Sequence, residues 1–404
     1  MAAGSSDGKV WLWDVATSRA TASLPHPGPV TSVAFPADDA TVGTGAADGI
    51  VRVWQIPGPT VTNLSGDIFS ISFPTGTSTM AVTSADNTAG LVNVAEPRSP
   101  APLGPLITNA TRSGRASGAA VISPDGRTLA VGAVDGGIQL WDVANPAATT
   151  PLARITGPAG AIEGLMFSPD GKTLAAGSDD HNVWLWDVSN PAEPTGPPSL
   201  LTDHTNYAYG PAFSNDGRLL AAGGADNTVR LWDAADPRHP QTLALIKGHT
   251  NYVFATAFSP DGHILASAGA DNTVRLWDVT NPTAVKPLGR PLTGPNNYVY
   301  SLAFDPTGRT VAAGAGDGQV WLWDLTNTQR PNFLAALAAY GGPVFVVAFD
   351  PAGILAAGGD QGTVRLWNTS PDAVAKHVCS TSGQPITPTE WRKYTGDAPY
   401  RSPC

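Results

Sequence analysis

Residues 248–279 read GHTNYVFATAFSPDGHILASAGADNTVRLWDV, and most of the 404-residue chain is built from diverged copies of this stretch. It holds three short runs, VFATAF (253–258), ILASAG (264–269) and TVRLWDV (273–279), bounded by turn residues. The runs are short and rich in β-branched and aromatic residues, which predicts strands. Between the first two lies Ser-Pro-Asp-Gly (259–262), repeated at 123–126 and 168–171. Proline pre-sets the first turn residue and glycine supplies the positive φ that closes a tight hairpin. A weaker fourth run, such as TLALIKG (242–248), precedes the next copy.

The tryptophan near the end of each copy serves as a ruler. It stands at Trp13, Trp54, Trp141, Trp186, Trp232, Trp277, Trp323 and Trp367, with Val92 in its place in one degenerate copy. Successive markers are 38 to 49 residues apart. Four strands at that period fit a propeller and not a helical or leucine-rich solenoid. The copy within residues 57–118 has lost its Trp-Asp and carries a long Pro- and Gly-containing connector, so an irregular blade is expected there.

On these motifs the chain resembles the WD-repeat β-propeller family, over residues 1 to about 370. The resemblance implies an all-β fold of four-stranded antiparallel blades. Nine copies of the ruler point to eight blades, with seven or nine as alternatives. MAAGSSDGKVWLWDV (1–15) aligns without gaps to LAAGSDDHNVWLWDV (174–188), so the chain is expected to start inside a repeat. Residues 371–404 leave the repeat and are expected to form a tail with short helices, one around Thr387–Tyr394. That tail resembles the closing segment of WD-repeat regions in large bacterial signalling proteins, which implies an upstream effector domain. The excess of Arg over Lys, with abundant Ala, Gly and Pro, fits a high-GC bacterial genome.

Composition narrows the function classes. The net charge is −10 and no Lys/Arg cluster occurs, which argues against a nucleic-acid groove or an anionic membrane surface. No apolar run reaches the ~20 residues needed to span a bilayer, and no secretory signal is visible. The expected location is therefore cytoplasmic.

An Asp six residues before the ruler recurs in almost every copy, as in Asp86, Asp135, Asp180, Asp226, Asp271 and Asp317. The family resemblance gives it a structural role, in a tetrad with the His of Gly-His, a strand Ser or Thr, and the Trp. His249, Ser267, Asp271 and Trp277 supply a complete set, whereas His204, Asp226 and Trp232 lack the hydroxyl because Ala222 stands there. The rival reading makes His249 and Asp271 a catalytic pair with Ser267 as nucleophile. A Ser between apolar strand neighbours offers neither an exposed hydroxyl nor an oxyanion site. The seven His and two Cys show no metal-ligand spacing, and no phosphate loop is present, so no cofactor is implied. Cys379 and Cys404 could pair into a disulfide that closes the tail, or remain free thiols.

The candidate binding residues are a series at the start of three successive first strands: Asn206-Tyr207, Asn251-Tyr252 and Asn297-Tyr298. A four-stranded meander opens these loops on the same face as the turns holding His181, Asn182, Asn227 and Asn272. Tyrosines with an amide rim suit a protein interface. The expected function is a non-catalytic scaffold or sensor module for a protein or peptide partner. The alternative is an enzyme or small-ligand propeller that uses its central channel.

Overall fold

The computed structural model describes residues 2–14, 19–26, 28–35, 41–47, 51–55, 64–96, 100–111, 116–339 and 342–369. The chain divides into two compact units, residues 59–365 and residues 1–58 with 366–404. The first of these contains a closed ring of antiparallel sheets.

The strand that begins each sheet lies innermost, beside the innermost strand of the next. In chain order these strands are Ile68–Ser72, Ala116–Ile122, Ile162–Phe167, Ala208–Phe213, Val253–Phe258, Val299–Phe304 and Val344–Phe349. We number the blades 1 to 7 accordingly. Blades 2 to 6 are four-stranded meanders, each strand pairing with the next. The irregularity of blade 1 sits at its outer edge, where Ala101–Pro102 and Ile107–Thr108 both pair with Thr88–Asn93. In blade 7 the described strands are Val344–Phe349, Ile354–Gly359 and Val364–Asn368.

The ring closes where blade 7 meets blade 1. Phe345 packs on Phe69 at 4.9 Å between ring centroids, and the Ser78 hydroxyl donates to Asp350 at 3.4 Å. The ring therefore has seven blades, not the eight expected from the repeat count. The two N-terminal copies belong to the other unit, and among the described residues their strands pair only with one another. They form three-stranded sheets of their own, Ala2–Gly4 with Lys9–Asp14 and Arg19–Pro25, and Val30–Ala34 with Thr41–Ala46 and Val51–Gln55. Counting copies overestimates blades because the described strands of two of the nine copies pair in separate sheets of the other unit. Among the described residues the only helical segments are the 3-10 turns Pro146–Ala148 and Asp360–Gly362. The expected tail helices and the Cys379–Cys404 pair lie outside the described residues.

Packing between blades follows from two sequence features. Second strands such as TLAAGS, LLAAGG and ILASAG are rich in small residues and almost wholly buried, which allows close approach of the next blade. A β-carbon at Gly177 would lie 2.2 Å from the Tyr209 carbonyl oxygen of the next blade, so that position accepts only hydrogen. The ruler side chains fill the remaining gaps. Trp186 shares a cluster with Leu140 and Ile155 of blade 2, and Trp232 shares one with Leu185 and Leu201 of blade 3. Trp277 packs in the same way with Leu231 and Ile246 of blade 4. Each of these rings is thus a wedge into the preceding blade, and the repeat's largest apolar side chain is buried between blades.

Candidate functional site

The recurring Asp has one constant task and one variable one. In blades 1 to 6 its Oδ1 accepts the backbone N–H two residues on, as from Thr228 to Asp226 and Thr273 to Asp271, both at 3.1 Å. This is the side-chain-to-backbone bond that stabilises a tight turn. The residue between is left-handed in several copies, with φ of 66° at Asn87, 73° at His181, 65° at Asn227 and 61° at Asn272. Asparagine tolerates that region better than most residues. The other partners of the Asp change from blade to blade. Ser65 donates to Asp86, Arg154 forks onto Asp135 at 2.8 Å, and the indole of Trp184 donates to Asp180 at 3.0 Å. Trp321 repeats the indole arrangement with Asp317 at 3.2 Å.

Blade 5 brings together the four residues anticipated for the tetrad. His249 Nδ1 is 2.9 Å from Asp271 Oδ2, His249 Nε2 is 2.8 Å from Ser267 Oγ, and Trp277 Nε1 donates to Ser267 Oγ at 2.8 Å. The proton order is fixed by the ends of the chain. The indole N–H must donate to Ser267, whose hydroxyl then donates to Nε2, and Nδ1–H donates to the carboxylate. Burial would raise the Asp271 pKa, but the bonds from His249, Thr273 and Thr250 outweigh it and hold the carboxyl well below the usual range. Ser267 is fully buried and its oxygen is engaged on both sides, so it has no access to a substrate.

Blade 4 is the incomplete version. His204 Nδ1 lies 3.2 Å from Asp226, while its Nε2 is buried with no partner. Trp232 donates instead to Asp203 at 2.7 Å. Ala222→Ser would place a hydroxyl where Ser267 stands in blade 5. It is expected to stabilise the protein by about 1 kcal/mol by satisfying a buried nitrogen, read as a higher urea midpoint. One further His–hydroxyl pair escaped the sequence reading. His26 Nε2 is 2.7 Å from Thr44 Oγ1, both buried, in the N-terminal unit. The signal was available, because their separation of 18 residues equals that of His249 and Ser267. It was masked by Pro25 in place of the usual Gly.

Tyr207, Tyr252 and Tyr298 stand on the face expected for them, on three neighbouring blades, with 42%, 42% and 43% of their surface exposed. Their asparagines are positioners. The side-chain oxygens of Asn206, Asn251 and Asn297 accept the N–H of the following tyrosine at 2.8 to 2.9 Å. The carbonyls of the three tyrosines in turn accept from Ala225, Ala270 and Gly316 on the adjoining turns. Each ring is thus presented by a fixed backbone. His181 lies beside Tyr207, 5.8 Å between centroids.

Inside this rim the channel carries a second aromatic tier. Phe69, Phe345, Tyr300, Phe254 and Tyr209 follow one another around the wall, with neighbouring centroids 4.9, 5.4, 5.6 and 5.1 Å apart. The tiers join, since Tyr252 is 6.4 Å and Tyr298 6.0 Å from Phe254. The two remaining blades break the series. Blade 2 presents Gly118, and blade 3 presents Glu163. The open space inside this wall is about 500 Å³. Glu163 was not singled out from the sequence. The signal was its register, second in its first strand like Tyr209 and Phe254.

Glu163 is exposed at the channel surface, while the wall around it crowds its carboxyl. Burial and the nearby Asp179 carboxylate push its pKa up to about 7. Burial, followed by Glu163 and Asp179, raises Tyr209, and burial with Tyr298 raises Tyr300. Among the described residues no three His, Cys, Asp or Glu side chains converge as metal ligands would, and no helix is long and apolar enough to cross a membrane.

Comparison with known proteins agrees with this geometry. A 55-residue segment is 38% identical to a ribosome biogenesis protein WDR12 homolog of Dictyostelium discoideum, covering 14% of this chain and 12% of that relative. The model of the WD domain, G-beta repeat family matches residues 19–55, 112–142, 149–187, 197–233, 240–278, 286–324 and 332–368, well over half of the chain. Seven matched repeats, blades of four antiparallel strands, and a ruler Trp buried in each matched blade from the second to the seventh place this chain in the WD domain, G-beta repeat family.

Proposed function

We propose that the ring is a non-catalytic interaction scaffold whose face bearing Tyr207, Tyr252 and Tyr298 docks a protein or peptide partner. The observation that carries this reading is the exposure of three tyrosines at matched positions on consecutive blades, each held by its own Asn–amide bond. Fixed aromatic side chains bury large area on binding and lose little rotamer freedom. Propellers of this family generally serve as binding platforms and not as catalysts, and the engaged, buried Ser267 supports the same view here. The finer reading, a sensor or scaffold part of a larger bacterial signalling protein, rests on the sequence of residues 371–404.

The test is a triple substitution of Tyr207, Tyr252 and Tyr298 by Ala. Partner capture is expected to fall at least 100-fold, equivalent to about 3 kcal/mol, with only a small fall in the urea midpoint, because the three rings are 42% to 43% exposed and lie outside the core between blades. Capture at the wild-type level would overturn the proposal.

A further inference from the structure

We infer that the channel mouth inside the tyrosine rim receives a lysine side chain of the docked partner. This rests on the docking reading above and adds the chemistry that the partner must carry.

The wall has the composition an ammonium group selects. Five contiguous rings line it, and a ring face attracts a cation through its quadrupole, most strongly where water is excluded. The single acidic side chain lining the same space is Glu163, and no Lys or Arg is among the described residues that line it. The charge that acts on Glu163 has its own sign, the carboxylate of Asp179. An anionic guest would meet repulsion from both, and a neutral apolar guest would leave the carboxyl without a partner. A cation satisfies both the carboxyl and the rings. The aliphatic stem of lysine suits the passage from the rim inward, because Tyr252 and Tyr298 both adjoin Phe254 and form one continuous aromatic path.

Binding should also be linked to protons. Glu163 gains an ammonium partner only when ionised, and burial with the nearby Asp179 pushes its carboxyl up to about 7. The titratable groups that face it are Asp179 from its own blade and Tyr209 from blade 4, with His181 acting on Asp179. On the blade 2 side the described lining residues, Gly118, Ala119 and Ala120, do not titrate. Affinity for a cation whose own charge is constant should therefore rise from pH 6 to pH 8.

The probe is n-butylammonium, the lysine side chain in isolation, compared with 1-butanol, its neutral counterpart, by NMR titration of the whole chain at pH 8. The ammonium is expected to bind at least tenfold more tightly than the alcohol. Glu163→Gln should abolish that preference and flatten the pH dependence. The Tyr207, Tyr252 and Tyr298 triple variant should bind both probes more weakly but still prefer the ammonium, because Glu163 and the five inner rings that line the pocket are retained. Equal binding of ammonium and alcohol, or a preference that survives Glu163→Gln, would overturn the inference while leaving the docking surface standing. Conversely, an intact ammonium preference with unimpaired partner capture by the triple variant would remove the docking surface alone.

Discussion

Trp232→Ala is expected to destabilise the ring by about 3–5 kcal/mol, the range for removing a fully buried large aromatic side chain. Trp232 has no exposed surface and is among the largest fully buried side chains. Three losses combine in this one change. The ring leaves a void between blade 4 and the Leu185–Leu201 surface of blade 3. Asp203 loses the indole N–H at 2.7 Å, although Thr242 still donates to it at the same distance. His204 loses the ring against which it packs edge-on at 6.0 Å, and its Nε2 already lacks a partner. Trp232→Phe separates these effects, since it fills most of the void but removes the donor, and should cost about 1–2 kcal/mol. Urea unfolding of both variants checks the difference. A Trp232→Ala midpoint equal to wild type would contradict the wedge role assigned to the ruler.

The second large effect is expected at Asp271. Its side chain and that of His249 are 5% and 1% exposed, and the carboxylate accepts from His249, Thr250 and both donors of Thr273. Asp271→Ala leaves the part-buried donors of His249 and Thr273 without an acceptor, and should cost about 3–5 kcal/mol, as breaking one side of a buried pair does. Asp271→Asn keeps the turn-closing oxygen and should cost less. The same group sets a pH dependence. Its folded pKa lies well below the unfolded value of about 3.9, because its hydrogen bonds outweigh the opposing effect of burial. Its contribution is therefore complete above about pH 4 and is lost as pH falls below that value toward the folded pKa. Asp226 behaves alike through His204, Thr228 and Thr205. Wild-type stability should drop steeply below about pH 4, and Asp271→Ala should show a shallower drop from a lower plateau. Parallel curves for the two proteins would exclude the assigned role.

The blade-to-blade variation explains why a complete tetrad is rare here. The turn needs an Asp whose Oδ1 holds the amide two residues on, and this is satisfied locally in every blade from 1 to 6. Its second oxygen needs a donor, and the donor can come from a Ser, an Arg, a Trp on the same strand, or a His. The local requirement is thus visible at a constant spacing before the ruler, whereas the donor is chosen by whatever the neighbouring strand presents. Motif matching anticipated His249, because its Gly-His is intact, and missed Arg154 and Trp184, whose types are unrelated to the family pattern.

Sequence alone determined the repeat, the strand positions, the hairpin turns and the buried ruler. Each is encoded within one copy of about 45 residues, by alternation of apolar and turn residues whose conformational preferences act locally. It also located Tyr207, Tyr252 and Tyr298, since equal positions in successive copies must emerge on one face. Tertiary structure decided the number of blades and the content of the channel. Closure depends on the curvature accumulated over all the blades, and on Phe69 meeting Phe345 from opposite ends of the ring, which no single copy records. The channel wall takes residues from every blade, so Glu163 becomes the lone carboxyl among five aromatic rings only when the ring is closed.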